Sequence, residues 1–249
     1  MAASALPLAT LLAIVAPAAP VIGTAARPQA MQPAPQTAPA LPAASDSPSS
    51  SPAPAPAQGR PADASALLAV FARMDGLEAG FEEEKQLALL AAPLKSAGRL
   101  YFMRPGYLAR LVQTPESSTL RITPTELQLS GKDGVERIDL RQSSDVRLFV
   151  TSLVQVFLGD EAALRGSFQV GLQPAADSAT GWTLTLVPRG APLDKLMAEL
   201  RLQGEGSTVT RIEVREPSGD RTVTRILAAD VARVFTAEEK TALFGIAPP

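Results

Sequence analysis

Hydrophobic and polar residues alternate along most of the chain between residues 76 and 227, a period typical of strands with one buried face. In one such run, Leu120 and Ile122 are each flanked by polar residues. About eleven comparable runs occur. The connectors Gly131–Gly134 and Pro217–Asp220 carry residues that favour tight hairpin turns. The pattern therefore predicts a large antiparallel sheet with one apolar and one polar face.

Helical periodicity replaces this alternation in four places. Apolar residues three and four positions apart predict helices over residues 64–75 and 145–158, with Asp63 or Ser65 as N-cap of the first. A short helix is expected over 161–165. Another is expected from Thr236, where Glu239 would complete a capping box. The predicted fold is mainly β, a strongly curved antiparallel sheet whose concave face is covered by α-helices.

The first 62 residues differ in composition from the rest. Residues 6–19 are apolar but too few to span a bilayer, and Thr24 and Ala26 suit a cleavage site, although no basic residue precedes Arg27. We therefore expect a signal peptide over residues 1–26, the alternative being an Ala/Pro-rich tail. Residues 27–62 are mainly Ala, Pro, Ser and Gln, which predicts a disordered linker. The folded domain would occupy residues 63–249, in the periplasm.

Composition excludes several kinds of function. The formal charge of −2 argues against a nucleic-acid partner, which would require clustered Lys and Arg. The chain has no Cys and no His, which removes thiolate and imidazole metal sites, disulfides and Ser-His-Asp triads. We expect no metal, no cofactor and no enzymatic activity.

Three consecutive glutamates, Glu82–Glu84, form the most acidic run in the strand region. Successive strand residues point to opposite faces, so these carboxylates cannot converge on one metal ion. The pattern favours a solvated edge strand. The sequence as a whole then indicates a binding protein whose site is the apolar concavity of the sheet.

From about residue 67 to residue 140, the chain resembles the LolA-like family of periplasmic carriers of outer-membrane lipoproteins. A first helix is followed by an element like the family's Phe-x-Gln-Lys, then a Gly-x-Leu-x-Phe strand, then Arg-Pro. The matching residues are Phe81, Glu84, Lys85, Gly98, Leu100, Phe102, Arg104 and Pro105.

The resemblance implies an unclosed β-barrel with a helical lid over a hydrophobic cavity that holds the acyl chains of a lipidated cargo. In the family, the arginine of the Arg-Pro motif contacts the lid helices and keeps the empty cavity closed. By motif position this residue is Arg104, which would otherwise be an exposed arginine at a hairpin tip. Candidate cavity residues, chosen by strand or helix phase, are Leu100, Phe102, Leu120, Ile122, Phe149, Leu153, Leu184 and Leu186.

The resemblance also implies partners: a lipidated protein or lipid as cargo, an inner-membrane transporter as donor and an outer-membrane receptor as acceptor. We expect the carrier to be a monomer. An outer-membrane receptor of the same fold would need a lipidated N-terminal cysteine, which this chain lacks. An envelope-stress sensor and a β domain with a filled interior are the remaining alternatives.

Two departures from the family pattern bear on the cargo. Arg110 stands where the family has Trp, and aromatic residues make up only 4% of the chain. These departures indicate a divergent member, for which a non-lipoprotein lipid such as an aryl-polyene or a glycolipid is an alternative cargo.

Overall fold

A computed structural model describes residues 60–247 of the chain. The expected signal peptide over residues 1–26 lies outside the described part. So does the expected linker over residues 27–62, apart from residues 60–62.

Eleven strands form one antiparallel sheet. They are β1 (Gly76–Gln86), β2 (Leu94–Met103), β3 (Tyr107–Thr114), β4 (Ser118–Ile122), β5 (Glu126–Gly131), β6 (Gly134–Asp139), β7 (Phe168–Pro174), β8 (Gly181–Pro188), β9 (Glu199–Glu205), β10 (Thr208–Arg215) and β11 (Arg221–Asp230). Their order is β6-β5-β4-β3-β2-β1-β11-β10-β9-β8-β7. Within residues 60–247 the outermost strands β6 and β7 do not pair, so the sheet is an unclosed barrel, as predicted.

Five helices accompany the sheet. They are α1 (Ala64–Phe71), α2 (Ser144–Leu158), α3 (Glu161–Ser167), α4 (Leu193–Leu196) and α5 (Ala237–Phe244). Asp63 caps α1 by accepting a hydrogen bond from the backbone N–H of Ala66. The capping box predicted from Thr236 and Glu239 is confirmed at the start of α5. Only α4 has no counterpart in the sequence prediction.

The apolar face of the sheet packs against α1, α2 and α3 in one core. Residues from strands far apart in the sheet order contribute to it, because the sheet wraps around the helices. Leu120 on β4 and Leu202 on β9, for example, belong to the same cluster although five strands separate β4 from β9. The predicted curvature and helical cover are therefore confirmed.

A second, smaller core lies on the outer face of β2 and β3. There α5 packs Phe244 against Tyr107, and Phe235 packs edge-on against Phe244 with 5.2 Å between ring centroids. Arg121 on β4 holds the end of α5 by donating to the carbonyls of Ala242 and Leu243. This core covers part of the outer face, whereas α1, α2 and α3 pack against the concave face.

The prediction that Glu82–Glu84 form a solvated edge strand is wrong. They lie on β1, which pairs with β2 on one side and with β11 on the other. Glu83 is only 2% exposed, while Glu82 and Glu84 face solvent. The reason is the period of two, which places Glu83 on the same inward face as Phe81.

Apolar and polar residues also alternate over residues 196–203, which predicts a strand there, but the structure shifts its start. Leu193 and Leu196 are both buried at helical spacing in α4, and β9 begins only at Glu199. Similarly, Leu89 shares the strand phase of Phe81 but lies beyond the end of β1 and is 97% exposed. In both places the alternation of apolar and polar residues extends beyond the residues that pair with a neighbouring strand.

Candidate functional site

Helices α1 and α2, which we call the lid helices, cover the concave face of the sheet through aromatic contacts. Phe71 at the end of α1 packs edge-on against Trp182 of β8, with ring centroids 6.3 Å apart. Phe157 near the end of α2 stacks on Phe102 of β2, with centroids 5.4 Å apart. These contacts place the C-terminal ends of both lid helices over the interior.

Arg104, at the turn after β2, bonds to both lid helices at these ends. Its guanidinium donates to the carbonyls of Phe71, Ala72 and Met74 at 3.3, 2.5 and 2.9 Å. It also donates to the carbonyl of Leu158, the last residue of α2, at 3.1 Å. One side chain therefore links the ends of α1 and α2 to the sheet.

This arrangement follows from the chemistry of helix ends. The last carbonyls of a helix have no partner within the helix and carry the negative end of its dipole. A guanidinium has five donors in a fixed plane and is always charged, so it can satisfy several such carbonyls together. Asp75, 4.0 Å from the Arg104 side chain, is almost fully exposed and contributes little.

Gly159 brings the two helix ends close enough for one arginine to reach both. It caps α2 in the left-handed region, at φ 65°, which an L side chain adopts only at a cost. A Cβ at this position would lie 2.2 Å from the carbonyl oxygen of Leu68 in α1. The sequence Leu158-Gly159 therefore ends α2 directly against α1.

Beneath the lid helices lies a cavity of about 380 Å³. Its wall is mostly apolar and draws on both halves of the sheet and on both lid helices. Representative lining residues are Met74, Leu100, Ile122, Phe157, Leu200 and Ile226. A cavity of this size and lining lies within the range of small-molecule sites, roughly 300–1,000 Å³.

One charged pair interrupts the apolar wall. Arg110 on β3 donates from Nη2 to Glu83 Oε1 on β1 at 2.8 Å, with side chains 11% and 2% exposed. The Arg110 guanidinium lies over the ring of Phe81, 4.5 Å from its centroid. Thr224 of β11 donates to Glu83 Oε2 at 2.8 Å. All four residues line the cavity.

Burial dominates the electrostatics of this pair. Desolvation raises the pKa of Glu83, although Arg110 and the hydrogen bond from Thr224 oppose that change. Desolvation likewise lowers the pKa of Arg110, opposed by Glu83. Both pKa changes favour the uncharged form of the group, because burial removes each charge from water. Each charge therefore depends on the other for compensation.

Comparison with known protein families identifies the family to which the chain belongs. The family model described as outer membrane lipoprotein carrier protein LolA-like matches residues 55–245. This chain belongs to the LolA-like family. The resemblance noted from the motif residues is thereby confirmed. No curated protein sequence matches the chain.

Several solved structures are similar to this LolA-like chain at low identity. A LolA superfamily protein from Nitrosomonas europaea is 12% identical, with a TM-score of 0.39 over 71% of this chain and 96% of that one. A DUF1329 family protein from Desulfovibrio piger is 12% identical, with a TM-score of 0.40 over 74% and 99%. The MucA/MucB complex from Pseudomonas aeruginosa contains a chain 13% identical, with a TM-score of 0.42 over 70% and 59%.

The candidate cavity residues of this LolA-like chain fall into two groups. Leu100, Leu120, Ile122 and Leu153 line the cavity. Phe102, Phe149, Leu184 and Leu186 are fully buried in the packed core and are not among its lining residues. Phase identifies the inward face of an element. It does not indicate whether an inward side chain meets empty space or another side chain.

Sequence reasoning assigned none of the polar lining residues to the site. The sequence pattern places Glu83 in solvent, marks Arg110 only as a departure from the family and gives no reason to select Thr224. The signal was present in the period of two, since Glu83 is in phase with Phe81, and Arg110 with the buried Leu108. Their charge concealed that phase.

In the part of the chain that the structure describes, no three acidic side chains come together in a way that could hold a metal ion. None of the helices between residues 60 and 247 combines the length and apolar character needed to cross a membrane. The cavity beneath the lid helices is the candidate site because apolar residues of the sheet and of both lid helices line it.

Proposed function

We propose that this LolA-like chain is a periplasmic, non-enzymatic carrier that shields the acyl chains of a lipidated cargo and delivers it toward the outer membrane. The single observation that carries the proposal is the apolar cavity of about 380 Å³ beneath two helices that are bonded to the sheet by one arginine. An inner-membrane transporter would supply the cargo, and an outer-membrane receptor would accept it.

Physical chemistry supports this role for the cavity. Each methylene group buried from water contributes about 0.8 kcal/mol, so acyl chains do not cross an aqueous compartment unshielded. A carrier must also release its cargo, so part of the binding energy has to be offset. Opening the lid would break the Arg104 hydrogen bonds to Phe71 and Leu158, and release would restore them.

Arg104 therefore serves as the lid lock in this proposal. Its bonds are made to backbone carbonyls at two helix ends, so no other side chain of similar length could replace all of them. They stabilise the closed, empty state relative to the open, loaded state. Removing them favours loading over release.

A non-lipoprotein lipid, such as an aryl-polyene or a glycolipid, is the second candidate cargo. The observation that favours it is the Arg110–Glu83 pair on the cavity wall, at a position where the family has an aromatic residue. A buried charged pair of this kind could form hydrogen bonds with a ligand that carries a polar group next to its hydrocarbon chains.

The proposal is tested with the full chain, its Arg104→Leu variant, and Arg137→Leu as a matched control on the exposed face of β6. Native mass spectrometry measures lipid copurified from the cell envelope, and a transfer assay measures its release to acceptor vesicles. We expect Arg104→Leu to retain lipid and to release it at least about tenfold more slowly, the equivalent of 1.4 kcal/mol. Arg137→Leu, whose side chain is 62% exposed, should behave as the wild type.

One result would contradict the carrier function, and another would contradict only the lid-lock role of Arg104. If the wild-type protein is purified without bound lipid and takes up no acylated probe, its interior is filled and it is not a carrier. Uptake by both proteins with equal release rates would remove Arg104 from the lid-lock role while leaving the carrier function in place.

A further inference from the structure

The Arg110–Glu83 pair spans three strands inside the apolar cavity. Glu83 is on β1 and Arg110 is on β3, with β2 between them. Gly98, which pairs with Phe81 on one side and with Val112 on the other, lies on the intervening strand. A Cβ at Gly98 would come within 1.9 Å of the Leu111 carbonyl oxygen, so the strands approach each other here as only glycine allows.

The two members of the pair differ in how fully they are bonded. Both carboxylate oxygens of Glu83 accept hydrogen bonds: Oε1 from Arg110 and, at 3.5 Å, from Ser96, and Oε2 from Thr224. Within residues 60–247 the guanidinium of Arg110 makes one hydrogen bond, to Glu83, out of the five that its N–H groups allow. Phe81 covers one face of the guanidinium plane. The free donors belong to a residue that lines the cavity.

We infer that Arg110 and Glu83 form a polar subsite for an uncharged hydrogen-bond acceptor, the ester or amide carbonyl that joins an acyl chain to its headgroup. The subsite would disfavour an ionised headgroup. This inference rests on the proposed function, because it assumes that acyl chains occupy the apolar part of the cavity. The inference adds to the proposed function the kind of chemical linkage, an ester or amide, that the ligand contains.

The preference for an uncharged group follows from charge balance. The positive charge of Arg110 is already neutralised by Glu83 at 2.8 Å. A ligand carboxylate or phosphate at the free donors would sit beside a second anion in a medium where charges interact strongly. A carbonyl oxygen can accept the same hydrogen bonds without that repulsion.

Within residues 60–247, no other cation near the pair is available to balance an anion. Lys85, the next inward-facing residue on β1, is already paired with Glu216 at 3.3 Å. Arg73 borders the cavity but is exposed, so water and salt screen its charge. Among the described residues, Arg110 is the buried cation of the cavity wall, and Glu83 cancels it.

The experiment compares two probes of equal chain length on the full chain. The first is 1-monopalmitoylglycerol, an uncharged ester, and the second is palmitate at pH 8, an ionised carboxylate. Binding is measured below the micelle concentration by calorimetry and by native mass spectrometry. Wild-type protein should bind the ester at least roughly tenfold more tightly than palmitate.

Three variants isolate the pair. Glu83→Gln leaves Arg110 without a counter-charge, and the preference should reverse toward palmitate. Glu83→Gln/Arg110→Gln removes both charges but keeps polar side chains of similar shape, and it should bind both probes with little preference. Glu84→Gln is the matched control on the same strand, because Glu84 faces solvent and should leave the wild-type ratio unchanged.

The outcomes separate this inference from the proposed function. If wild-type protein binds neither probe, the carrier function fails and the subsite fails with it. If all variants bind both probes with one unchanged ratio, the carrier stands and the subsite is overturned. Should Glu83→Gln fail to fold, judged by circular dichroism, the double variant decides alone, since retention of the wild-type preference without either charge refutes the inference.

Discussion

Two buried carboxylates on opposite faces of the sheet show how one residue type takes opposite roles. Glu83 faces the cavity, and burial raises its pKa. Glu213 on β10 faces outward, since its neighbours Ile212 and Val214 line the cavity. Arg221 holds it with two hydrogen bonds and lowers its pKa to about 2. The cavity wall thus carries one isolated pair, while the outer face carries a cluster of arginines around one carboxylate.

The lowered pKa of Glu213 predicts a pH dependence of stability. Its ionised form is favoured by folding, so this contribution is complete above about pH 4.5 and is lost as the pH falls toward 2. We expect Glu213→Gln to lower the free energy of unfolding at pH 7 by about 1–2 kcal/mol, a figure reduced for partly exposed arginines. The difference should shrink as the pH falls toward 2.

Urea unfolding at several pH values checks this, with Glu82→Gln as the exposed control. Parallel curves for wild type and Glu213→Gln would show that the arginines do not stabilise the folded state through this carboxylate. The contribution of Glu83 to stability should depend on pH in the opposite direction. Because its pKa is raised, that contribution falls as the pH rises above about 4.5.

At the scale of elements, local pattern predicted most of the fold. The stripe over residues 145–158 became α2 (Ser144–Leu158), and the turn residues at 131–134 joined β5 to β6. What local pattern could not supply was the neighbour of each strand. Glu83 was placed at an edge because the pairing of β1 with β11 joins residues far apart in the sequence. The Arg110–Glu83 contact joins β1 and β3 across β2, and residue phase gives only the face of each side chain, not the strand register that brings the two together.

The junction of the two lid helices gives a prediction at this scale. Gly159→Ala places a Cβ at φ 65° and 2.2 Å from the Leu68 carbonyl oxygen, so α1 and α2 must move apart. We expect a loss of about 2–3 kcal/mol in the free energy of unfolding. Gly166→Ala in α3 is the matched control, because its Cβ would meet no atom within 4 Å and alanine favours a helix.

Thermal unfolding compares the two glycine variants directly. Equal melting temperatures for Gly159→Ala and the wild type would mean that the lid helices tolerate separation at this end. The prediction would then be wrong, and so would the view that a fixed junction positions the carbonyls for Arg104.

For the whole molecule, the sheet separates two interiors with different properties. The inner one contains a cavity and two helices attached at their C-terminal ends by Arg104. The outer one is filled by aromatic side chains around Phe244 and Phe235. Under the proposed function the lid helices open on one face, and the packed outer face can supply stability without restricting them.

This division predicts that substitutions on the outer face change mainly stability, whereas substitutions on the cavity wall change mainly ligand binding. Phe244→Ala removes a ring that is 1% exposed and should lower the free energy of unfolding by about 3–5 kcal/mol. The affinity of the folded protein for 1-monopalmitoylglycerol should not change, because Phe244 lies on the face opposite the cavity.

Leu153→Ala on the cavity wall should lower the free energy of unfolding by less, about 1–2 kcal/mol, because its half-buried side chain already borders empty space. It should nevertheless weaken binding severalfold. Urea unfolding and calorimetry on both variants measure the two quantities separately, and weaker binding by folded Phe244→Ala would show that the two interiors are coupled through the sheet.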